Sequence, residues 1–304
     1  MRQSVFMVFM VLCLLASGCS ALPESSPMPS SPAPSVSAAP EDSPLSSPTP
    51  APTETPFVYY NETGTTIATR IKTPDGYTRT EGNAYEEFIR NQALQAHGSP
   101  VLLYNGEPKG NQNAHVAVLS IDVGERDRQQ CADAALRLRC EFLFSTQQYD
   151  RINYHLTNGD EFPYAKYREG YRLKVDGNNT SLVKTADADD SYEAFRKYCD
   201  VLFSYAGTIS VEKESTAIPK EDMRIGDVFV IGGSPGHCVI VMDMCENAQG
   251  DKLFLLGQSY MPAQQIHILK NPGSDSPWYS LSALDYPFAT PEWTFKTECL
   301  RRMP

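Results

Sequence analysis

Beyond residue 57 the chain carries six cysteines, Cys131, Cys140, Cys199, Cys238, Cys245 and Cys299, and the histidines His115 and His237 at strand starts. A thiol near its ordinary pKa is mostly protonated at neutral pH. A helix N-terminus or a neighbouring imidazole favours the thiolate, which is the nucleophile. Cys131 follows Asp127-x-x-Gln130, a helix-start signature. It also opens the run Cys131, Ala135, Leu138, Phe142, spaced as one buried helical stripe. Its position therefore suits either a small core residue or a reactive group near a helix start. Cys140 and Cys199 sit on similar stripes and read as core. His237 follows Gly232-Gly233-Ser234-Pro235-Gly236 and opens an apolar strand, and Gln258 closes the next one.

The elements that must position these groups follow from capping and periodicity. Asn83-x-x-Glu86 opens a helix to about Leu94, and Asp127 caps a second to about Phe144, leaving Cys131 four residues inside it. Ser191 starts a third, with Tyr192, Phe195, Tyr198, Cys199, Leu202 and Phe203 on its apolar side and Gly207 as C-cap. Short strands are expected at Val101–Tyr104 and His115–Val123. Tyr171–Val175 and Ser181–Thr185 flank a turn and form a hairpin. The last third is a strand series: Asp227–Ile231, His237–Met244, Lys252–Leu256 and Gln265–Lys270. His237–Met244 is apolar enough to be buried on both faces. His267 alternates with Ile266 and Ile268, which places it on a solvated or edge face. Trp278 and Trp293 read as packing anchors. Helices first and a meander later make the domain α+β, with helices packed on an antiparallel sheet.

The segments Ile225-Gly226-Asp227-Val228, Gly236-His237-Cys238-Val239 and Leu256-Gly257-Gln258-Ser259 resemble the second half of papain-like cysteine peptidases of the NlpC and CHAP types. The resemblance implies a papain-like fold with Cys131 as nucleophile, His237 as general base and Gln258 as the group that orients the imidazole. Gln129 and Gln130 are then possible oxyanion donors. His115 is the rival base. A longer stretch, from about Thr69 to Phe295, resembles an uncharacterised bacterial lipoprotein family catalogued as a domain of unknown function. It does so through Gln129-Gln130-Cys131-Ala132-Asp133-Ala134, the loop up to His237, and Gln258-Ser259-Tyr260-Met261-Pro262-Ala263-Gln264.

Composition narrows the setting. Val5 to Ala16 is an apolar run after Arg2, too short for a membrane-spanning helix. It ends in Leu15-Ala16-Ser17-Gly18-Cys19, which resembles the lipobox of bacterial lipoproteins. That implies a signal peptide over 1–18, lipid on Cys19, and a cell-envelope, extracytoplasmic location with the membrane as a partner through the lipid. Residues 19–56 are dominated by Pro, Ser, Ala and Thr. They lack apolar surface to offset chain entropy, so they read as a disordered tether. Residues 57–304 are long enough for a single core. The formal net charge of −11 argues against nucleic acid and against a basic membrane-surface patch. No C-x-x-C or H-E-x-x-H occurs, and no metal or cofactor is expected. Two functions fit: a cysteine hydrolase acting on amide bonds, with cell-wall peptides as substrate, or a non-catalytic envelope module binding peptidoglycan or a partner protein through a retained cleft.

The tether is directly testable. Cys19→Ser yields an unlipidated chain, which is expected in the aqueous phase of a detergent partition. Recovery of that variant in the detergent phase overturns the lipobox reading.

Overall fold

A run as apolar as His237–Met244 must be covered on both sides, and it becomes the long strand His237–Asn247 in the middle of a nine-stranded sheet. A computed structural model describes residues 59–304. Cys19 and the expected signal and tether at 1–56 lie outside the described residues. On one side, His237–Asn247 pairs with Lys252–Gln258, then His267–Leu269, then His115–Val118. On the other side stand Val228–Ile231, Leu300–Arg302 and Thr216–Ala217. Tyr77–Arg79 and Tyr279–Ser280 extend the far end, and every pairing in this sheet is antiparallel. The α+β class expected from the sequence is thus the observed one.

The helices begin where their caps predict. Asn83 Oδ1 accepts from Tyr85 and Glu86 N–H, starting Ala84–Arg90. Ser191 Oγ accepts from Ala194 N–H, starting Tyr192–Tyr205. The helix Cys131–Ser145 lies against the His237 strand. The Tyr192 helix packs on it in turn, with Phe144 and Phe195 stacked at 4.3 Å between centroids. Burying rings such as Phe195 and Phe254 stabilises the fold by about 1.5–3 kcal/mol each. The hairpin is Tyr171–Asp176 with Asn179–Lys184, turning at Gly177-Asn178.

Several expectations shift. Val101–Tyr104 is not a strand but makes single bridges, Leu102 to Pro108 and Leu103 to Gln264. The chain doubles back at Asn105-Gly106, and the Gln112 side chain takes over the backbone groups of Val101. The strand at His115 ends at Val118. The Tyr192 helix is capped at Ala206, not Gly207, and Tyr192 itself is exposed. The largest correction is His267. It is fully buried, because the His115 strand adds beyond it and Lys109 and His115 pack on its ring.

The ladder between His237–Asn247 and Lys252–Gln258 slips between Leu255 and Leu256, which leaves Met242 as an extra residue. Just past this bulge, Asp243 is fully buried and meets Arg79 Nε at 2.7 Å and Arg90 Nε at 3.0 Å. Burial raises the carboxyl while the two guanidiniums pull it back down. Asp243→Ala would take the buried carboxylate from both guanidiniums, leaving Arg90 only Glu87 and Arg79 no acidic partner among the described residues. Chemical denaturation should show a loss of about 3–5 kcal/mol. A loss no larger than an exposed pair gives would mean that water reaches the arginines.

Candidate functional site

Cys131 is the first residue of its helix, not the fourth from a cap. The expected cap, Asp127, is used elsewhere: its Oδ1 accepts from Ala263 N–H at 2.7 Å and from Gln130 Nε2 at 3.0 Å. The helix starts after Gln130, whose N–H donates to Asp133 Oδ2 at 2.9 Å. Cys131 therefore stands where the unpaired N–H groups and the positive end of the helix dipole act most strongly. The N–H groups of Ala132, Cys238 and Cys131 itself face the sulfur. Fully buried Ser259 Oγ lies 2.8 Å from the carbonyl of Gln129 and 2.7 Å from that of Gln264. That hydroxyl stitches the approach to the Cys131 helix to the residue following Gln258.

His237 is delivered by a loop with little room to spare. A Cβ added at Gly236 would lie 2.5 Å from Thr208 Oγ1 and 2.7 Å from the carbonyls of Gly233 and Ile231. The imidazole is nearly inaccessible, packed at centroid distances of 4.9 Å from Tyr260, 5.0 Å from Trp293 and 6.1 Å from Phe295. Its Nε2 lies 2.9 Å from Gln258 Oε1. An amide oxygen only accepts, so Nε2 carries the proton and Nδ1 keeps its lone pair. Gln258 Nε2 donates to Glu292 Oε2 at 2.8 Å. Glu292 also receives Lys109 Nζ, and Asn111 Nδ2 at 3.1 Å on its other oxygen. Lys109 Nζ lies 3.4 Å from His267 Nε2, and His267 Nδ1 lies 2.9 Å from the Gln265 carbonyl.

Cys131 and His237 line one cavity of about 310 Å³, together with Phe203, Thr208, Tyr260 and Trp293. Gln258 lies behind the imidazole, out of the cavity. Larger hollows exist; the one of about 520 Å³ beside the hairpin is lined by no acid, base or thiol. Burial pushes the Cys131 thiol up to about 11, with Asp133 adding to the rise and the three N–H groups opposing it. Burial likewise pushes His237 down to about 4, against the pull of Gln258 and Glu292. At neutral pH the resting pair is thus a thiol and a neutral imidazole. Asp133 is buried with one oxygen unpaired, and its carboxyl is raised well above the usual range by that burial.

The family model described as "Domain of unknown function (4846)" matches residues 67–302, from the first short helix to the last strand. The chain belongs to that family. No curated protein and no solved structure matches it.

Other residues singled out in the sequence fall outside the site. His115 places its Nε2 3.1 Å from the Ser99 carbonyl, stands edge-on to His267 at 5.9 Å, and does not line the cavity. Gln129 is buried and does not line the cavity; its Oε1 accepts from Arg137 at 3.0 Å, and its Nε2, the end that could donate, is buried without a hydrogen-bond partner among the described residues. Gln130 does line the cavity, with its amide nitrogen tied to Asp127. Cys140 and Cys199 are core, as expected. Trp278 is a buried anchor with its indole N–H on the Lys72 carbonyl at 2.9 Å. Trp293, by contrast, is a wall of the site. Lys109 and Glu292 were missed because the sequence shows only a polar loop around each. The one signal was Glu292 beside Trp293 in a Thr290-to-Trp293 turn, where Thr290 N–H meets the Trp293 carbonyl at 2.8 Å.

The depressed imidazole has a thermodynamic consequence. The unfolded chain binds the proton near pH 6.5 and the folded chain only near 4. The stabilising contribution is complete above 6.5 and is lost as pH falls towards 4, amounting to about 3 kcal/mol. Melting should therefore weaken more steeply between these values in the wild type than in His237→Gln. Parallel curves would show that the imidazole is hydrated.

Proposed function

We propose that this chain is a papain-like cysteine hydrolase of the cell envelope, acting on amide bonds of cell-wall peptides while tethered by lipid on Cys19. The observation that carries the reading is the meeting of Cys131, at the first turn of its helix, with the His237–Gln258 pair on one cavity. Aromatic and small residues make up most of the rest of that cavity, joined by Gln130, Asp133 and Met261, a mix of apolar wall and polar groups that suits a peptide backbone. An envelope location puts wall peptides within reach of the tether.

The chemistry follows from the proton positions. Nδ1 of His237 takes the thiol proton as the Cys131 sulfur attacks the amide carbonyl carbon. The carbonyl π pair moves onto oxygen, and in this reading the N–H groups that face the sulfur at the helix start receive the developing charge. The tetrahedral intermediate collapses, the C–N bond breaks, and the imidazolium gives its proton to the leaving amine. A thioester remains. Water then adds, with Nδ1 accepting its proton, and the carboxylic acid leaves as the thiol is restored. Gln258 holds the ring throughout.

One observation favours the second reading, a binding module that keeps the cleft without turnover: burial leaves the thiol and imidazole neutral at rest. The two readings part on a paired measurement. Cys131→Ser and His237→Ala are each expected to abolish hydrolysis of peptidoglycan fragments, and combining them should cost no more than either alone. The melting temperature of Cys131→Ser should barely move. A core cysteine gives the reverse: about 1–3 kcal/mol lost by burying the hydroxyl, with turnover intact. A destabilised Cys131→Ser protein with wild-type turnover removes the mechanism.

A further inference from the structure

Glu292 has no part in the bond-breaking steps above, yet it is nearly buried, touches Gln258, Lys109 and Asn111, and sits next to the tryptophan that walls the cavity. A carboxamide is almost symmetric in shape. Gln258 turned over would fit the same space but present its NH2 to His237. An imidazole facing an NH2 accepts at Nε2, and its proton moves to Nδ1. That tautomer has no lone pair on Nδ1 to take a thiol proton. Shape alone therefore does not select a working imidazole; something must distinguish the two ends of the amide.

We propose that Glu292 is a positioning residue: its carboxylate, held by Lys109 and Asn111, sets which way the Gln258 amide faces and so which nitrogen of His237 carries the proton. A carboxylate only accepts, so it admits the amide nitrogen at 2.8 Å and repels the amide oxygen. The far end of the chain is equally determined. His267 Nδ1 donates to the Gln265 carbonyl, which leaves its Nε2 to accept from Lys109. Burial holds His267 neutral, so it does not compete with Lys109 for Glu292 as a second cation. The same bare Nε2 lies 3.5 Å from Gln258 Nε2, so His267 as an acceptor favours the amide orientation that Glu292 sets. Buried networks of this kind are worth having only when each member is satisfied. The significance of the His237 tautomer rests on reading that residue as the base; the tautomer itself can be observed without any activity.

The experiment is nitrogen NMR of the imidazoles in the full chain, which has five histidines to assign, beside the rate of Cys131 alkylation by iodoacetamide. The wild type is expected to show Nε2 of His237 protonated and Nδ1 bare. Removing Glu292 alone would leave a buried ammonium and risk the fold, so the ion pair is replaced whole, as Lys109→Met with Glu292→Leu. In that pair the two ring nitrogens should move to averaged shifts, and alkylation should slow by about tenfold. Lys109→Arg, which keeps both the accept-only Glu292 carboxylate and its cation, should leave both as in the wild type. An unchanged tautomer in the folded apolar pair overturns the proposal. So does a wild-type His237 protonated on Nδ1, which decides the matter even where the apolar pair does not fold. A tautomer that responds to Glu292 while wild-type Cys131 is inert to iodoacetamide upholds the positioning role and removes the hydrolase reading instead.

Discussion

The hydrogen bond between His237 Nε2 and Gln258 Oε1, 2.9 Å long and shut away from water, is the contact around which the rest of the site is arranged. In the interior an unmade bond to either group would cost the full desolvation of a polar atom, so its geometry propagates outward. Gln258 is held by its place at the end of a central strand, opposite His267 in the ladder. His237 is held by the start of the neighbouring strand and by three aromatic rings. Cys131 is then brought up by a different device. The Ser259 hydroxyl, one residue past Gln258, reaches the carbonyl two residues before Cys131. Two adjacent residues, the last of a strand and the one just past it, thus fix the imidazole and register the helix that carries the thiol.

The residue before Gln258 is tied to the irregularity of the ladder beside it. Gly257 leaves room for the Met242 side chain: a Cβ there would stand 2.7 Å from Met242 Cγ. Met242 is the extra residue of the bulge, and the same bulge precedes Asp243, which is clamped by Arg79 and Arg90. The Ala84 helix and the Tyr77 strand, which supply those arginines, are thereby tied to the strand that begins with His237. A buried charge pair is weak evidence for net stability but strong for register, since a slip of one residue would turn Asp243 away from both guanidiniums and leave its carboxylate buried without them.

Much of this was legible in the sequence because it is local. Caps at Asn83 and Ser191, the apolar run after His237 and the alternation around the hairpin turn each report on a few neighbouring residues. The failures were of another kind. Asp127 looked like a cap because sequence spacing cannot show that Ala263 claims its oxygen. His267 alternates like an edge residue, and only the addition of the distant His115 strand buries it. Lys109 and Glu292 come from separate loops 183 residues apart. An isolated acid or base in a polar loop reads as solvated until the fold places the two together. Cys131, His237 and Gln258, which line or back one cavity, stand out in the sequence because strand and helix ends carry residue-type signals; the groups behind them carry little beyond an acid beside a tryptophan.

The neutral resting pair bears on whether such a site can perform the proposed hydrolysis, and magnitudes decide it. With the thiol near 11 and the imidazolium near 4, proton transfer between them is uphill by about 7 pK units, or about 9–10 kcal/mol, before the charges attract each other. Attraction at contact, with an effective dielectric of about 20, returns about 4 kcal/mol. The ion pair then lies about 5–6 kcal/mol above the neutral pair. A turnover of about 10 per second corresponds to a barrier of about 16 kcal/mol, so this step leaves about 10 for the attack itself. Burial of both groups therefore argues against a standing thiolate–imidazolium pair and leaves the hydrolysis open. It also assigns a role to the surroundings. On the proposed mechanism, the three N–H groups at the sulfur and the fixed Nε2 proton act most strongly on the charges that form during the reaction, and so favour the transition state over the neutral resting pair.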